Sequence, residues 1–125
     1  MTHLLDVNIL LAVIWENHPL HERAFTGIKG KAIAVCPLAE LGFIRISTNP
    51  KATINAPMEK ARELLRRFIE ERGAHRIPDD LPALESRAAK SEDVTDSYLA
   101  ELAVRHHMKL ATMDERIKHP AVALI

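Results

Sequence analysis

Aromatic residues make up only 4% of this chain, and there is a single cysteine, Cys36. With so few rings the core must be built from Leu, Ile, Ala and Val, which favours helices packed on a small aliphatic sheet over an aromatic-rich barrel. One cysteine excludes an internal disulfide and suits a reducing cytosol. No apolar run reaches the roughly 18 to 20 residues needed to span a bilayer. No basic region precedes the apolar N-terminal stretch, so a signal peptide is not expected either. Net charge is zero, which removes any global pull toward polyanions. Repeats, low-complexity tracts and linkers are also missing. These absences leave one soluble, cytoplasmic domain over residues 1–125, with 47% hydrophobic content and enough chain for a two- or three-layer core.

What is present alternates between two periodicities. A short buried strand is expected over 2–5, then a helix over 9–16 with Asn8 as its N-cap. Pro19 opens a second short helix to Phe25, which Gly27 and Gly30 break. A strand over 32–35 precedes a helix from Pro37 to Ser47, and the longest helix runs from Pro57 to Arg72. Met58, Ala61, Leu65 and Phe68 recur on that helix at helical spacing, widened by Leu64 and Ile69. Further strands are expected over 75–77, 109–112 and 122–125, with helices over 82–90 and 95–106 and a helical turn over 115–119. Strands alternating with helices make this an α/β chain, layered around a small and mainly parallel central sheet.

Within this alternation, four acids recur where a strand hands over to a helix. Asp6 lies in HLLDVNILL, Glu40 in VCPLAELGFIR, Asp96 in DVTDSYLAELA and Asp114 in LATMDERI. Any one of them reads as an ordinary helix cap, where a carboxylate meets orphan N–H groups and the positive end of the dipole. Four entering one side of one small domain are harder to explain so. In open α/β sheets ligands bind outside the carboxyl ends of the strands, where Asp6, Glu40 and Asp114 fall by topology. Asp96 reaches that edge only if the fold bends its helix there.

Carboxylates packed together repel, and at neutral pH some must take up protons unless a cation neutralises them. Mg²⁺ suits such a group, because it prefers oxygen ligands and keeps several waters. Such ions acidify water and clamp the oxygens of a phosphodiester without calling on His, Ser or Cys. Other chemistries fit less well. Gly27-Ile-Lys-Gly30-Lys31 has glycines too close for a phosphate loop, and no Ser or Thr follows its Lys. His18 and His21, like His3 and Asp6, are three apart, but no Cys or further His completes a zinc set. Cys36 reads as a small core residue. Six cations (Arg45, Lys51, Lys60, Arg62, Arg66 and Arg67) face Glu59 and Glu63, a local excess of +4. On its own that stretch is a solvated helix face laced with pairs such as Glu63–Arg67.

The same segments resemble a known family. LLDVNILLAV, CPLAELGFIRI, VTDSYLAELA and LATMDERI are similar to the acid-bearing segments of the PIN-domain ribonucleases, in family order. Within them the chain resembles the VapC toxins of bacterial and archaeal toxin–antitoxin pairs, and ENHPLHERA is similar to one VapC subgroup. The resemblance covers essentially the whole chain. It implies a three-layer α/β/α PIN-like domain in which Asp6, Glu40, Asp96 and Asp114 bind Mg²⁺ or Mn²⁺, with Asn8 and Thr112 orienting acids or water. It implies RNA as substrate, a cognate VapB-like antitoxin that blocks the acidic pocket, and a homodimer. The chain departs from the family after Asp114, where Glu-Arg-Ile-Lys-His-Pro stands in place of an aromatic or Leu with Gly.

The leading expectation is a metal-dependent endoribonuclease leaving a 5′-phosphate and a 3′-hydroxyl, with Arg45 or the Lys60–Arg67 helix steering the RNA backbone. That helix's apolar stripe can instead serve a dimer or an antitoxin helix. The alternative is a catalytically silent PIN-like domain that holds RNA or a partner. A receiver-type domain wants a mid-chain accepting Asp and a late Lys, whereas here Asp79-Asp80 sits in a Pro-flanked turn and the late strand ends in Thr112. Cleavage through the 2′-hydroxyl by histidines needs no metal and leaves a cyclic phosphate, so product ends separate it from the first reading.

Overall fold

The computed structural model describes residues 1–125. In chain order it contains β1 (His3–Leu5), α1 (Val7–Ile14), α2 (His21–Ile28), β2 (Ile33–Val35), α3 (Pro37–Ser47), α4 (Met58–Arg72), β3 (His75–Arg76), α5 (Val94–Arg105), β4 (Lys109–Thr112) and β5 (Val122–Leu124). Short 3-10 turns occupy Ala83–Glu85 and Ser91–Asp93. All pairings are parallel, in the order β3-β2-β1-β4-β5. Right-handed crossovers from β1 to β2 to β3 put α1 to α4 on one face, where they touch one another. The return from β3 to β4 reverses direction and puts α5 on the other. The result is a three-layer α/β/α domain around a small parallel sheet. None of its helices is long and apolar enough to cross a membrane.

The three inner strands are short and their central residues apolar, as a sheet covered on both faces requires. Leu4, Leu5, Ala34, Val35, Leu110 and Ala111 are all fully buried. The α1–α3 contact fixes the helices that leave β1 and β2. A Cβ on Gly42 would lie 2.7 Å from Cγ2 of Val7, so the glycine lets α3 approach α1. At the other end Trp15 stacks on Phe43 at 6.2 Å, and its Nε1 donates to Oγ of the buried Ser47 at 2.9 Å.

Several boundaries differ from the sequence expectation. The N-cap of α1 is Asp6, not Asn8, because the chain is still extended at Asp6 (φ −70°, ψ 161°) and already helical from Val7. Helix α2 runs through Gly27 to Ile28. Burial of Ala24 and Ile28 on one face outweighs the roughly 1 kcal/mol helix penalty of glycine, and a Cβ at 27 would strike Ile125. No α-helix forms over 82–90, where Leu84 is fully exposed and the 3-10 turn Ala83–Glu85 buries nothing. A segment that short needs an apolar face to bury, and this one has none. Residues 115–119 form a turn at Glu115 and Arg116 rather than a helical turn. On α4, Arg66 pairs with Glu63 and Glu70, and Arg67 with Glu71, so the expected Glu63–Arg67 pair is replaced by neighbours on the same face.

Candidate active site

The strand order reverses between β1 and β4, so the crevice at their carboxyl ends is the topological switch point of the sheet. Asp6 is the first residue beyond β1 and Thr112 the last of β4. Asp6 is only 4% exposed. Its Oδ1 accepts from Val7 N at 2.7 Å, and its Oδ2 accepts from the Thr112 hydroxyl at 2.7 Å. That hydroxyl, fully buried, accepts in turn from Asn8 Nδ2 and from Asp114 N, both at 3.1 Å. The remaining amide oxygen of Asn8 accepts from Met113 N at 3.3 Å. Asn8 therefore holds Thr112, and Thr112 holds Asp6, through a chain in which every donor has one acceptor. Burial pushes the Asp6 carboxyl above its usual range, the bonds from Thr112 and Val7 pull it back, and the charge of Asp114 pushes it up again.

Asp96 stands in the first turn of α5, and Asp114 two residues beyond β4. The Asp96 carboxyl is raised by burial first and then by the negative charges of Asp6 and Asp114, so the fold brings these three acids within electrostatic reach. Asp114 behaves differently. The Arg116 guanidinium grips it with two bonds, Nε to Oδ1 and Nη2 to Oδ2, both 3.0 Å, and Arg116 N donates to Oδ1 at 2.9 Å. This fork holds the Asp114 carboxyl below its ordinary range. Asp96 and Asp114 line a cavity of about 510 Å³ whose only apolar wall residue is Ile117. Lys90, Lys118 and His119 also line it.

Glu40 has different charged neighbours. It sits in the first turn of α3, as expected, and lies 3.9 Å from Nη1 of Arg76 on edge strand β3. Burial raises its carboxyl, Arg76 lowers it, and the like charge acting on it comes from Asp79 rather than from the other three acids. Asp79 is there because its Oδ2 accepts from Leu38 N at 2.9 Å, capping α3 from a distant loop. Arg45 is exposed in the last turn of α3. One turn and a half of helix separates it from Glu40, about 7.5 Å of rise.

No three His, Cys, Asp or Glu side chains lie close enough together to share one ion. The donor chemistry still fits a hard divalent cation. Asp6, Asp96 and Asp114 offer only carboxylate oxygens, and Mg²⁺ keeps most of its waters and needs one or two such groups. Each Asp6 oxygen accepts one hydrogen bond and keeps lone-pair capacity for another partner. The histidines do not enter. His18 Nδ1 accepts from Leu20 N, and His21 Nδ1 bonds the Ala12 carbonyl. Cys36 is fully buried, and burial pushes its thiol up to about 12, as befits an inert core residue.

Two contributors, Arg116 and Asp79, do not stand out as site residues in the sequence. The Asp-x-Arg spacing is a usable signal for Arg116, since an Asp that turns the chain two residues on can meet a side chain at that same position. Asp79 gives no local signal, because the helix residue it caps lies 41 positions away.

The PIN domain family matches residues 3–123. The chain is 37% identical over 123 residues to Ribonuclease VapC38 of Mycobacterium tuberculosis, covering 89% of this chain and 84% of that protein. It is 33% identical over 133 residues to Ribonuclease VapC39 of the same organism, covering 98% and 96%. Among solved structures it resembles the crystal structure of VapBC2 from Rickettsia felis bound to a DNA fragment from their promoter. The TM-score is 0.64 and the identity 16%, over 100% of this chain and 98% of that one, a likeness of fold. With a family match over nearly its whole length and relatives above 30% identity, this chain belongs to the PIN domain family, in its VapC group.

Proposed function

We propose that this chain is a Mg²⁺- or Mn²⁺-dependent endoribonuclease and the toxin of a toxin–antitoxin pair. The observation that carries the reading is a buried Asp6 at the switch point together with Asp96 and Asp114 lining one acidic cavity, each within reach of another's charge. Relatives of near full length named ribonucleases support the reaction class. Asp6, Asp96 and Asp114 are the residues to hold the ion, one or two of them directly and the rest through its waters, since no three acids stand close enough to share it. Glu40 joins them if its weak contact with Arg76 is exchanged. When bound, the ion acidifies water at neutral pH and offsets the charge of the phosphodiester.

The protein's own groups do the positioning. Thr112 and Asn8 fix the direction of the Asp6 carboxylate. Burial keeps bulk water from screening the acids, which strengthens their pull on a cation. Arg45 is assigned a contact with the RNA backbone, whose phosphates a guanidinium suits. A VapB-like antitoxin and a second copy of the chain complete the proposed assembly, the antitoxin following from the VapBC2 complex to which the fold is similar.

Purified wild type and Asp6→Asn, incubated with RNA in Mg²⁺, Mn²⁺ or excess EDTA, test the proposal. Cleavage by wild type alone, lost in EDTA and leaving 5′-phosphate and 3′-hydroxyl ends, is the expected result. Cleavage that survives EDTA or Asp6→Asn, or that leaves cyclic phosphate ends, overturns it. A folded wild type that cleaves no RNA under any ion favours the silent, partner-binding alternative.

A further inference from the structure

Arg116 and Asp114 differ sharply in how firmly they are held. The carboxylate is 18% exposed and anchored twice through the backbone, by Arg116 N on its Oδ1 and by its own N–H on the buried Thr112 hydroxyl. The guanidinium is 88% exposed, and its side-chain hydrogen bonds all go to the acid itself. Swinging it into solvent therefore costs no burial, only the pair, whereas moving Asp114 would disturb the link to Asp6. The guanidinium also acts on Asp96 and on Glu92, so its charge is felt across the acidic side of the cavity.

A divalent ion that binds at Asp114 meets the same carboxylate oxygens that Arg116 occupies with both arms of its fork. We propose that Arg116 is a built-in competitor for the cation site, a resident counter-charge that sets the ion concentration at which the site fills. This rests on the reading of the trio as a metal site.

The test is calorimetric titration of Mn²⁺ into wild type, Arg116→Gln, Arg116→Lys and, as a control for net charge alone, Arg62→Gln on the exposed face of α4. No RNA is present, so the readout is binding. Arg116→Gln is expected to bind Mn²⁺ about two- to fivefold more tightly, the range that exposed ion-pair strengths allow. Arg116→Lys should fall between, since it keeps the charge and loses the two-armed grip. Arg62→Gln should match wild type. Placed on an Asp114→Asn background, Arg116→Gln should lose most of its gain, because the pair it relieves is already gone. Equal or weaker binding by Arg116→Gln overturns the proposal, as does an equal gain from Arg62→Gln or a full gain persisting in Asp114→Asn. If wild type and every variant fail to bind Mn²⁺, the metal reading itself falls, an outcome distinct from the others.

Discussion

Thr112→Val removes one hydroxyl and almost nothing else, since valine fills the same shape. In wild type that buried hydroxyl makes three hydrogen bonds, donating to Asp6 and accepting from Asn8 and Asp114. The bond to a charged carboxylate is worth about 1.5–3 kcal/mol, and two donors also lose their acceptor, so the loss at neutral pH should be about 3 kcal/mol. The pH dependence is the sharper part. Asp6 is a carboxyl whose folded pKa is raised. Its contribution is fully present below the ordinary carboxylate pKa and is lost as pH rises through the raised value. The Thr112 bond opposes that rise, so its removal lifts the Asp6 pKa further and deepens the loss at neutral pH. Below the ordinary carboxylate pKa Asp6 is neutral in both proteins, and the penalty should be smaller by about 1 kcal/mol, the gap between a charged and a neutral bond. Urea unfolding of both proteins in a pH series from below the ordinary carboxylate pKa up to neutrality measures the difference. A penalty that is flat across this range, or that grows toward acid, refutes a raised Asp6 carboxyl restrained by Thr112.

Gly42→Ala puts a methyl 2.7 Å from Cγ2 of Val7, a stiff β-branched side chain. It should cost about 1–3 kcal/mol in thermal or urea unfolding, as overpacking does, and reduce RNA cleavage because Val7 adjoins Asp6. Ser47→Ala strands the indole N–H of Trp15 and should cost about 1–2 kcal/mol. Trp15 is the single tryptophan of the chain, so a shift in its emission reports the lost bond directly. Asp79→Ala should cost about 0.5–2 kcal/mol by removing the cap on α3. It should also lower the Glu40 pKa, since Asp79 is the like charge that raises it, and NMR titration of Glu40 reads that change. Cys36 should resist thiol reagents in native protein and react only on unfolding.

The strands and long helices were legible because each carries its own periodicity, and the three aspartates because each follows a strand or opens a helix. What escaped was settled by distant partners. Asn8 has the composition of a cap, yet its side chain is claimed by Thr112, 104 residues away. Gly27 reads as a breaker, but the packing of Ile125 against it turns the missing side chain into a requirement. Residues 82–90 have helix-forming composition and no face to bury. Glu40 follows the same strand-to-helix rule as the aspartates, but Arg76 and Asp79, brought in by edge strand β3 and the loop beyond it, give it different company.

The switch point joins the two ends of the chain, with Asp6 near the start and Thr112 and Asp114 near the finish. Helices α1 to α4 and strands β1 to β3 can gather as synthesis proceeds, since their contacts lie within the first 76 residues. Strand β4 inserts beside β1 only after 109–112 have been made. A nascent chain on the ribosome thus carries Asp6 without Thr112 or Asp114 beside it. The order of synthesis itself delays assembly of the acidic centre, so that a growing polypeptide surrounded by RNA lacks the complete trio until its last strands arrive.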